Sequence, residues 1–264
     1  MTKVMHLQSF YIQLAANIQG RDFFVGDLHG RYDQLMTELD KVSFDYEYDR
    51  LISVGDLVDR GEQSELIVSL IEAPWFYAVR GNHDQFILDQ YEVERIMLNG
   101  VYANYAPSDI HKKMAGNESD WFYVLDEDRR KLIAKKLMSL PYVLEVTIGR
   151  FQIGVCHAAV PWDFTDWTDF LTSLADRNIR ELTIRTRKVA QKLAKGKDRI
   201  LSGIDFTLHG HCTYSEPLFG QSSGFIDTFD QSGRLTLLSA EDLAVRLVAQ
   251  REKCHDEFIR MNHE

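Results

Sequence analysis

The sequence predicts an α/β protein in which helices flank a central sandwich of two mixed β-sheets, giving four layers. From Asp22 onwards, short apolar runs alternate with amphipathic stretches, which is a βαβαβ pattern. Strand-like runs then return in the second half and supply further strands for a second sheet. The composition, 45% hydrophobic and 27% charged residues, is that of a globular chain. The strand-like runs lie at 22–27, 50–56, 75–81, 142–148, 150–158, 204–211, 224–228 and 234–240.

Helical segments account for most of the sequence between these runs. Between the two halves, we expect a helical insert at about 84–140, with an N-cap at Asp126 and a stop at Pro141, placed where it can cover a site. The stretch 166–197 also has helical character. A last helix is expected at about 241–261, because Ser239 and Asp242 occupy N-cap and N3 positions. No linker divides the chain, so residues 1–264 are predicted to form one domain.

Charge and cysteine content narrow the class of protein. The formal net charge is −10 and no long run of Lys or Arg occurs, so neither nucleic acid nor an anionic membrane is expected as a partner. Residues 1–20 are too polar for a secretory signal, and no stretch has 18 uninterrupted apolar residues. The three cysteines show no CxxC spacing. These features predict a soluble cytoplasmic protein; its oligomeric state stays open.

Three polar motifs follow successive apolar runs in the first half: GDLHG at 26–30, GDLVDRG at 55–61 and GNHD at 81–84. Parallel neighbouring strands lie about 4.8 Å apart, so side chains at their ends converge. We therefore expect a metal site. Asp27 and His29 would bind one ion, Asp56 would bridge two ions, and Asn82 would bind the second.

The second half offers nitrogen ligands for the same site. His157 ends one strand-like run, and His209 and His211 end another. Only one member of the His209–His211 pair is required as a ligand, and a structural role is favoured for His209. Six ligands can hold two divalent ions at the roughly 3.5 to 4 Å separation of hydrolytic two-metal sites. Mixed Asp, Asn and His ligation favours Mn²⁺, with Fe or Zn²⁺ as alternatives.

These motifs, together with CHAAVP at 156–161 and HGH at 209–211, resemble the metallophosphoesterase superfamily in order and spacing. GDLVDRG is similar to its phosphoprotein phosphatase branch, in particular the bacteriophage lambda-type serine/threonine phosphatases, from about Asp22 through Leu238. The resemblance implies the metallo-dependent phosphatase fold. It also implies the ligand set Asp27, His29, Asp56, Asn82, His157 and His211. It further implies that Arg60 and Arg187 bind phosphate, and that His83 donates a proton with Asp59 as its partner.

Several positions depart from that family pattern. Asp84 stands where most members of the branch have Glu, and Phe229 replaces a Gly. Around the second arginine the usual Trp is absent and the chain reads Ile-Arg-Thr-Arg at 184–187. Arg185 therefore competes with Arg187 for the role of second phosphate ligand.

The residue chemistry supports the same activity. A water between two divalent ions loses a proton near neutral pH and can attack phosphorus directly, without a covalent enzyme intermediate. Arg60 can bind the phosphate with two parallel hydrogen bonds, and His83 can protonate the departing alkoxide. We thus expect hydrolysis of phosphoserine and phosphothreonine in a phosphorylated protein or peptide, and phosphotyrosine stays open as a further substrate.

Two other functions stay open at this point. Symmetrical diadenosine tetraphosphatases share the scaffold and often carry GNHD. Their second motif, however, resembles GDLVARG, with Ala at the position that Asp59 occupies in this chain. A non-catalytic binding module on the same scaffold is disfavoured, because every ligand position holds a competent residue.

Overall fold

The computed structural model of the chain describes residues 10–99 and 119–261 of the 264. Within these ranges two β-sheets pack face to face, and helices cover their outer faces. The predicted α/β architecture is confirmed. The central part of the predicted insert, 100–118, lies outside the described residues. Among the described helices none is both long and apolar enough to cross a membrane.

The smaller sheet has the strand order β10-β2-β3-β4. β2, β3 and β4 run parallel, with Phe24 opposite Ile52 and Ile52 opposite Tyr77, and β10 runs antiparallel to β2. Because β2, β3 and β4 run parallel, their carboxyl ends meet at one edge. The strands are β2 (Asp22–Val25), β3 (Arg50–Ser53), β4 (Phe76–Ala78) and β10 (Leu237–Ser239).

The larger sheet has the order β1-β5-β6-β7-β9-β8. β5 and β6 form an antiparallel hairpin, and β7 and β9 continue parallel to β6. The sequence pattern did not indicate β1 or β8. β1 is a four-residue edge strand that pairs with β5, and β8 has only two residues. The strands are β1 (Tyr11–Leu14), β5 (Val143–Ile148), β6 (Phe151–Cys156), β7 (Phe206–His209), β8 (Leu218–Phe219) and β9 (Ser223–Phe225).

Alternation along the strands divides the core into layers. Phe24 and Ile52 point between the sheets, where they pack with Val146 and Ile153 from the larger sheet. Their neighbours Phe23 and Leu51 point to the opposite face, beneath the helices of the first half. A third apolar cluster, including Val143 and Cys156, lies under the helices that cover the larger sheet.

The helices begin and end close to the predicted positions. Asp126 caps its helix by accepting a hydrogen bond from Arg129 N at 2.9 Å, and Asp242 N donates to Ser239 Oγ at 3.0 Å at the start of the last helix. The helices are α1 (Tyr32–Lys41), α2 (Ser64–Ser69, followed by a 3₁₀ turn Leu70–Glu72), α3 (Asn82–Asn99), α4 (Asp120–Tyr123), α5 (Glu127–Met138), α6 (Trp167–Ser173), α7 (Arg177–Arg185), α8 (Lys188–Leu193), α9 (Phe229–Ser232) and α10 (Ala240–Met261).

Candidate active site

The six predicted ligand residues converge where the carboxyl ends of the parallel strands of the two sheets approach each other. The smaller sheet contributes four of them from the loops after β2, β3 and β4, and the larger sheet contributes two from the ends of β6 and β7. The residues are Asp27, His29, Asp56, Asn82, His157 and His211. Contact between chain segments far apart in sequence is what the motif spacing predicted.

Asp56 lies at the centre of this group. Its Oδ2 is 3.2 Å from His157 Nε2 and 3.6 Å from His29 Nε2. His157 Nε2 is also 3.0 Å from Asn82 Oδ1. Two sets of potential ligand atoms, each within 4.8 Å, share Asp56: one adds His29 and His83, the other His157 and His211. A carboxylate common to two sets is placed to bridge two ions.

Hydrogen bonds define which ring nitrogen of each histidine faces the group. Nδ1 of His29 donates to Val58 O at 2.9 Å, and Nδ1 of His157 donates to Val54 O at 2.9 Å. Each Nε2 therefore turns inward, and His29 Nε2 is buried with no hydrogen-bond partner among the described residues. His211 is the reverse case, because its Nε2 contacts Arg185 O at 3.2 Å and its Nδ1 is the nitrogen left to bind a cation. An oriented imidazole with one free nitrogen is a metal ligand's usual arrangement.

Burial keeps two of these rings neutral. Burial lowers the pKa of His29 to about 4, and burial together with the charge of His157 lowers the pKa of His211 to about 3. For His157 burial also acts to lower the pKa, but the adjacent Asp56 carboxylate outweighs it and the pKa is raised. Neutral imidazole is the form that coordinates a cation.

Four buried carboxylates crowd the same space: Asp27, Asp56, Asp84 and Asp227. Burial, with Asp227 and Asp56 nearby, raises the pKa of Asp27 well above its usual value. Burial and Asp56 raise the pKa of Asp84 to about 7, and burial and Asp230 raise that of Asp227 to about 6. Such a concentration of acidic groups is stabilised by added positive charge. The donor set thus fits divalent cations, with the oriented histidines completing it.

The backbone at the site adopts strained conformations. Five non-glycine residues have left-handed φ angles between 41° and 71°: His29, Asp56, Asp59, Arg60 and His211. Each such residue costs of order 1 kcal/mol or more, which surrounding contacts must offset. His29 N donates to Asp56 O at 2.8 Å, and Gly61 N donates to His29 O at 3.0 Å, so the first two motif loops brace each other.

Asp84, which stands in the third motif where the family pattern has Glu, connects two of the motif loops. Its Oδ1 accepts from Leu57 N at 2.9 Å and its Oδ2 from Gly81 N at 2.8 Å. Gly81 itself packs against Asp56 so closely that any side chain there would collide with the Asp56 carboxylate. A shorter acid than Glu therefore still fixes the loop that carries Asp56 to the loop that carries Asn82.

His83 and Asp59 form a pair beside the ligand group. His83 Nδ1 lies 2.8 Å from Asp59 Oδ2, and Arg60 Nη2 lies 3.5 Å from His83 Nε2. Burial acts to lower the pKa of His83, but the hydrogen bond to Asp59 and the charge of Asp56 outweigh it, so the pKa is raised. A buried carboxylate at Nδ1 favours the protonated form of this partly exposed ring, which can then donate the proton on Nε2. Such a histidine is suited to general acid catalysis.

The two arginines left open by the sequence have different surroundings. Arg185 Nε donates to Glu181 Oε2 at 2.8 Å, one helical turn away. Arg187 makes no side-chain hydrogen bond or ion pair within 10–99 and 119–261, and its charge contributes to the lowered pKa of His211. Arg187 is therefore the arginine available beside the ligand group.

His209 is oriented away from a ligand role, as the sequence favoured. Its Nδ1 contacts Cys156 O at 2.9 Å and its Nε2 contacts Thr207 Oγ1 at 2.9 Å. Both ring nitrogens are thus occupied by protein partners within the larger sheet.

Sequence reasoning missed four residues around the site: Arg31, Trp121, Asp227 and Asp230. Asp230 accepts from Arg60 Nη1 at 2.6 Å and from Arg31 Nη2 at 3.1 Å, while the Arg31 guanidinium lies 3.8 Å from the ring centre of Phe229. Asp227 follows the apolar residues Phe225 and Ile226 at the end of β9, a signal of the same kind as the first three motifs. Trp121 reaches Asp59 from the predicted insert, and nothing in the sequence indicates that contact.

Comparisons with known proteins find matches over much of the chain. The family described as calcineurin-like phosphoesterase matches residues 23–243. Serine/threonine-protein phosphatase 2 of Escherichia coli is 28% identical over 232 residues, covering 86% of this chain and 95% of that protein. A symmetrical bis(5'-nucleosyl)-tetraphosphatase of Glaesserella parasuis is 33% identical over 175 residues, covering 66% of this chain and 56% of that protein.

A solved structure shares the fold. A protein serine/threonine phosphatase from Saccharomyces cerevisiae superposes with a TM-score of 0.56 at 17% identity, covering 85% of this chain and 74% of that chain. The predicted resemblance to the metallophosphoesterase superfamily is confirmed by these matches.

Proposed function

Because the chain belongs to the calcineurin-like phosphoesterase family, we propose that this enzyme hydrolyses phosphoserine and phosphothreonine monoesters in phosphorylated proteins or peptides. The Asp59–His83 pair at 2.8 Å carries this proposal. The leaving group from such a substrate is an alkoxide, which needs a proton as the ester bond breaks. A diphosphate leaving group, as in dinucleotide cleavage, needs no such donor.

The proposed cofactors are two divalent ions, Mn²⁺ in the first place, with Fe or Zn²⁺ as alternatives. Asp27 and His29 would hold the first ion, Asp56 would bridge, and Asn82, His157 and His211 would hold the second. When bound, the ions would neutralise phosphoryl charge and supply a nucleophile derived from water. The family binds divalent metals, and the inward ring nitrogens and crowded carboxylates support this assignment.

The remaining roles belong to residues of the chain itself. Arg60 and Arg187 would bind the phosphoryl oxygens through charge-assisted hydrogen bonds, and thus fix phosphorus in line for attack. His83 would give its proton to the departing side-chain oxygen. Asp59 would hold the ring of His83 in the required tautomer and orientation through the contact to Nδ1.

A second candidate is a symmetrical dinucleoside tetraphosphatase, favoured by the similarity to the Glaesserella parasuis protein. Asp59 disfavours this second candidate, because hydrolysis of a dinucleoside tetraphosphate does not require an oriented proton donor such as the Asp59–His83 pair. Phosphotyrosine is an intermediate case, since phenolate is a better leaving group than alkoxide.

The purified chain should be assayed with Mn²⁺ on a phosphoserine peptide and on diadenosine tetraphosphate. We expect higher kcat/KM on the peptide. Asp56→Asn should lower kcat by at least about 100-fold while circular dichroism stays that of the native fold, because the bridging charge is lost. Preferential cleavage of the dinucleotide would replace the proposal with the second candidate. Near-native turnover by Asp56→Asn would remove Asp56 from the site.

A further inference from the structure

Trp121 connects the described part of the helical insert to the candidate active site. It lies in the short helix α4, and its indole Nε1 donates a hydrogen bond to Asp59 Oδ1 at 2.8 Å. Its ring packs edge-on against the buried Phe122, with 5.7 Å between ring centres. The two partners are 62 positions apart in the sequence. This contact is thus a tertiary one, made by the insert.

The carboxylate of Asp59 is held on both of its oxygens. Oδ1 accepts from Trp121, and Oδ2 is the atom 2.8 Å from His83 Nδ1. The side chain is 1% exposed, so water does not compete for either oxygen. The backbone N of Asp59 donates to Ser64 Oγ at 3.1 Å. With the backbone anchored and both oxygens engaged, the direction in which Asp59 presents Oδ2 is fixed.

The indole N–H is a donor with no acceptor capacity, so it can engage Asp59 in only one way. Removing it would leave Oδ1 buried without a partner, and the carboxylate would be free to rotate about its terminal bond. Rotation of Asp59 moves Oδ2 away from Nδ1 of His83. The ring of His83 is 20% exposed and, on this side, depends on that contact for its orientation.

We propose that Trp121 is a positioning residue for leaving-group protonation: it fixes Asp59, which in turn fixes His83 towards the departing oxygen. The inference rests on the proposed phosphatase function and deepens it. Trp121 adapts the site to phosphate monoesters whose leaving group is a basic alkoxide. Substrates with an acidic leaving group do not use this residue, because their leaving oxygen departs as a stable anion.

The test compares Trp121→Phe with the unaltered enzyme on two substrates in Mn²⁺, a phosphoserine peptide and p-nitrophenyl phosphate. Phe keeps an aromatic ring beside Phe122 but removes the N–H together with part of the indole ring, so a control with the same loss of ring volume is needed. We expect kcat on the phosphopeptide to decrease by about tenfold or more, because misplacement of a general acid loses part of its 10²- to 10⁴-fold contribution. On p-nitrophenyl phosphate kcat should decrease by less than about threefold, and KM on the peptide should stay within about twofold.

Two controls separate positioning from general damage. Trp75→Phe makes the same change at an indole that packs against Phe44, Tyr46 and Phe76 and not against Asp59, so the ratio of the two activities should not change. In an Asp59→Asn background, Trp121→Phe should have less than about a twofold further effect, because both changes remove the same support.

The outcomes are distinct. If the unaltered enzyme hydrolyses neither monoester, the proposed function itself is wrong. If it hydrolyses both and Trp121→Phe lowers both equally, or changes neither, Trp121 has no positioning role and the inference is overturned. A leaving-group-selective loss that vanishes in the Asp59→Asn background supports it.

Discussion

The sequence leaves open whether Arg185 or Arg187 binds the phosphate, and the local partners of each side chain distinguish them. The motif places both arginines within three residues, and either could reach a phosphate. Glu181, one turn earlier on α7, pairs with Arg185 at 2.8 Å. Arg187 occupies the N-cap position of α8 and lies where its charge acts on His211. The i,i+4 spacing of Glu181 and Arg185 was visible in the sequence, but the proximity of Arg187 to His211 depends on the folded chain.

We predict that Arg187→Ala raises the Michaelis constant for a phosphopeptide by about tenfold or more, while Arg185→Ala raises it by less than about threefold. The first change removes a charge-assisted hydrogen bond to the phosphoryl group; the second mainly breaks an exposed ion pair of small value. Steady-state kinetics of both variants measures the difference. The opposite ranking would assign the second phosphate contact to Arg185.

That the six proposed ligand residues lie together could be predicted because each stands at or near the end of an apolar run, where topology alone brings side chains together. The same rule applies to Asp227, which follows Phe225 and Ile226, yet in the sequence it reads as an ordinary turn residue. Its position becomes informative only when β9 is seen to pair in parallel with β7. Trp121 could not be predicted, because helical periodicity gives no information on which distant loop an indole will contact.

At the scale of secondary-structure elements, the sequence predicted the strands and helices that have a strong periodicity or a clear cap, and it missed strands with a weak pattern. The strands β2, β3 and β4 and the caps at Asp126 and Ser239 lie where the sequence indicated. The strand β1 was missed because its residues are exposed or half-buried except for Leu14, so they do not form an apolar run like those of β2, β3 and β4. Its pairing is instead stabilised by Glu145 on β5, which accepts from Tyr11 Oη at 3.0 Å and Gln13 Nε2 at 2.8 Å. Such cross-strand contacts are set by tertiary structure.

The amino ends of β2 and β3 depend on another ion pair, Arg21–Asp49. The buried Asp49 accepts from Arg21 N at 2.6 Å, from Arg21 Nε at 3.1 Å and from Asp45 N at 3.0 Å. Burial acts to raise the pKa of Asp49, but the hydrogen bonds from Arg21 and Asp45 outweigh it and the pKa is lowered. A carboxyl whose pKa is lower in the folded state contributes stability above its unfolded pKa, and this contribution is lost as pH decreases through the folded value.

Asp49→Asn should therefore destabilise the protein by about 1 to 2 kcal/mol at pH 7, a value kept small because the Arg21 side chain is half exposed. At pH 3 the difference in the free energy of unfolding should become smaller, because Asp49 is then mostly protonated in the unfolded chain and its charge in the folded chain contributes less stability. Urea unfolding of both proteins at the two pH values measures this. Asp45→Asn, a change at an exposed carboxylate, is the control and should have a smaller effect. An equal difference at pH 7 and pH 3 would show that the charge of Asp49 is not involved.

The whole molecule is arranged so that neither sheet alone completes the candidate site. Asp27, His29, Asp56 and Asn82 come from the smaller sheet, and His157 and His211 come from the larger one. The apolar layer between Phe24, Ile52 and their partners holds the sheets together, but the facing carboxylates oppose the same approach by repulsion. Family membership over residues 23–243 agrees with one catalytic unit built from both sheets, and a single domain over 1–264 stays a prediction.

Divalent ions bound between the sheets should consequently stabilise the folded chain as a whole. Binding to the native state at about 100 times the dissociation constant adds about 2.7 kcal/mol. For a chain of this size that corresponds to a rise in Tm of roughly 5 to 10 °C. Thermal unfolding in EDTA and then in excess Mn²⁺ should show this rise, and Asp56→Asn should lose most of it because the shared ligand is neutralised. Asp45→Asn removes one carboxylate near the opposite ends of the strands and should keep the full rise. If Asp56→Asn gains as much from Mn²⁺ as the unaltered protein, the stabilising ions bind elsewhere, and the two sheets are not joined through this site.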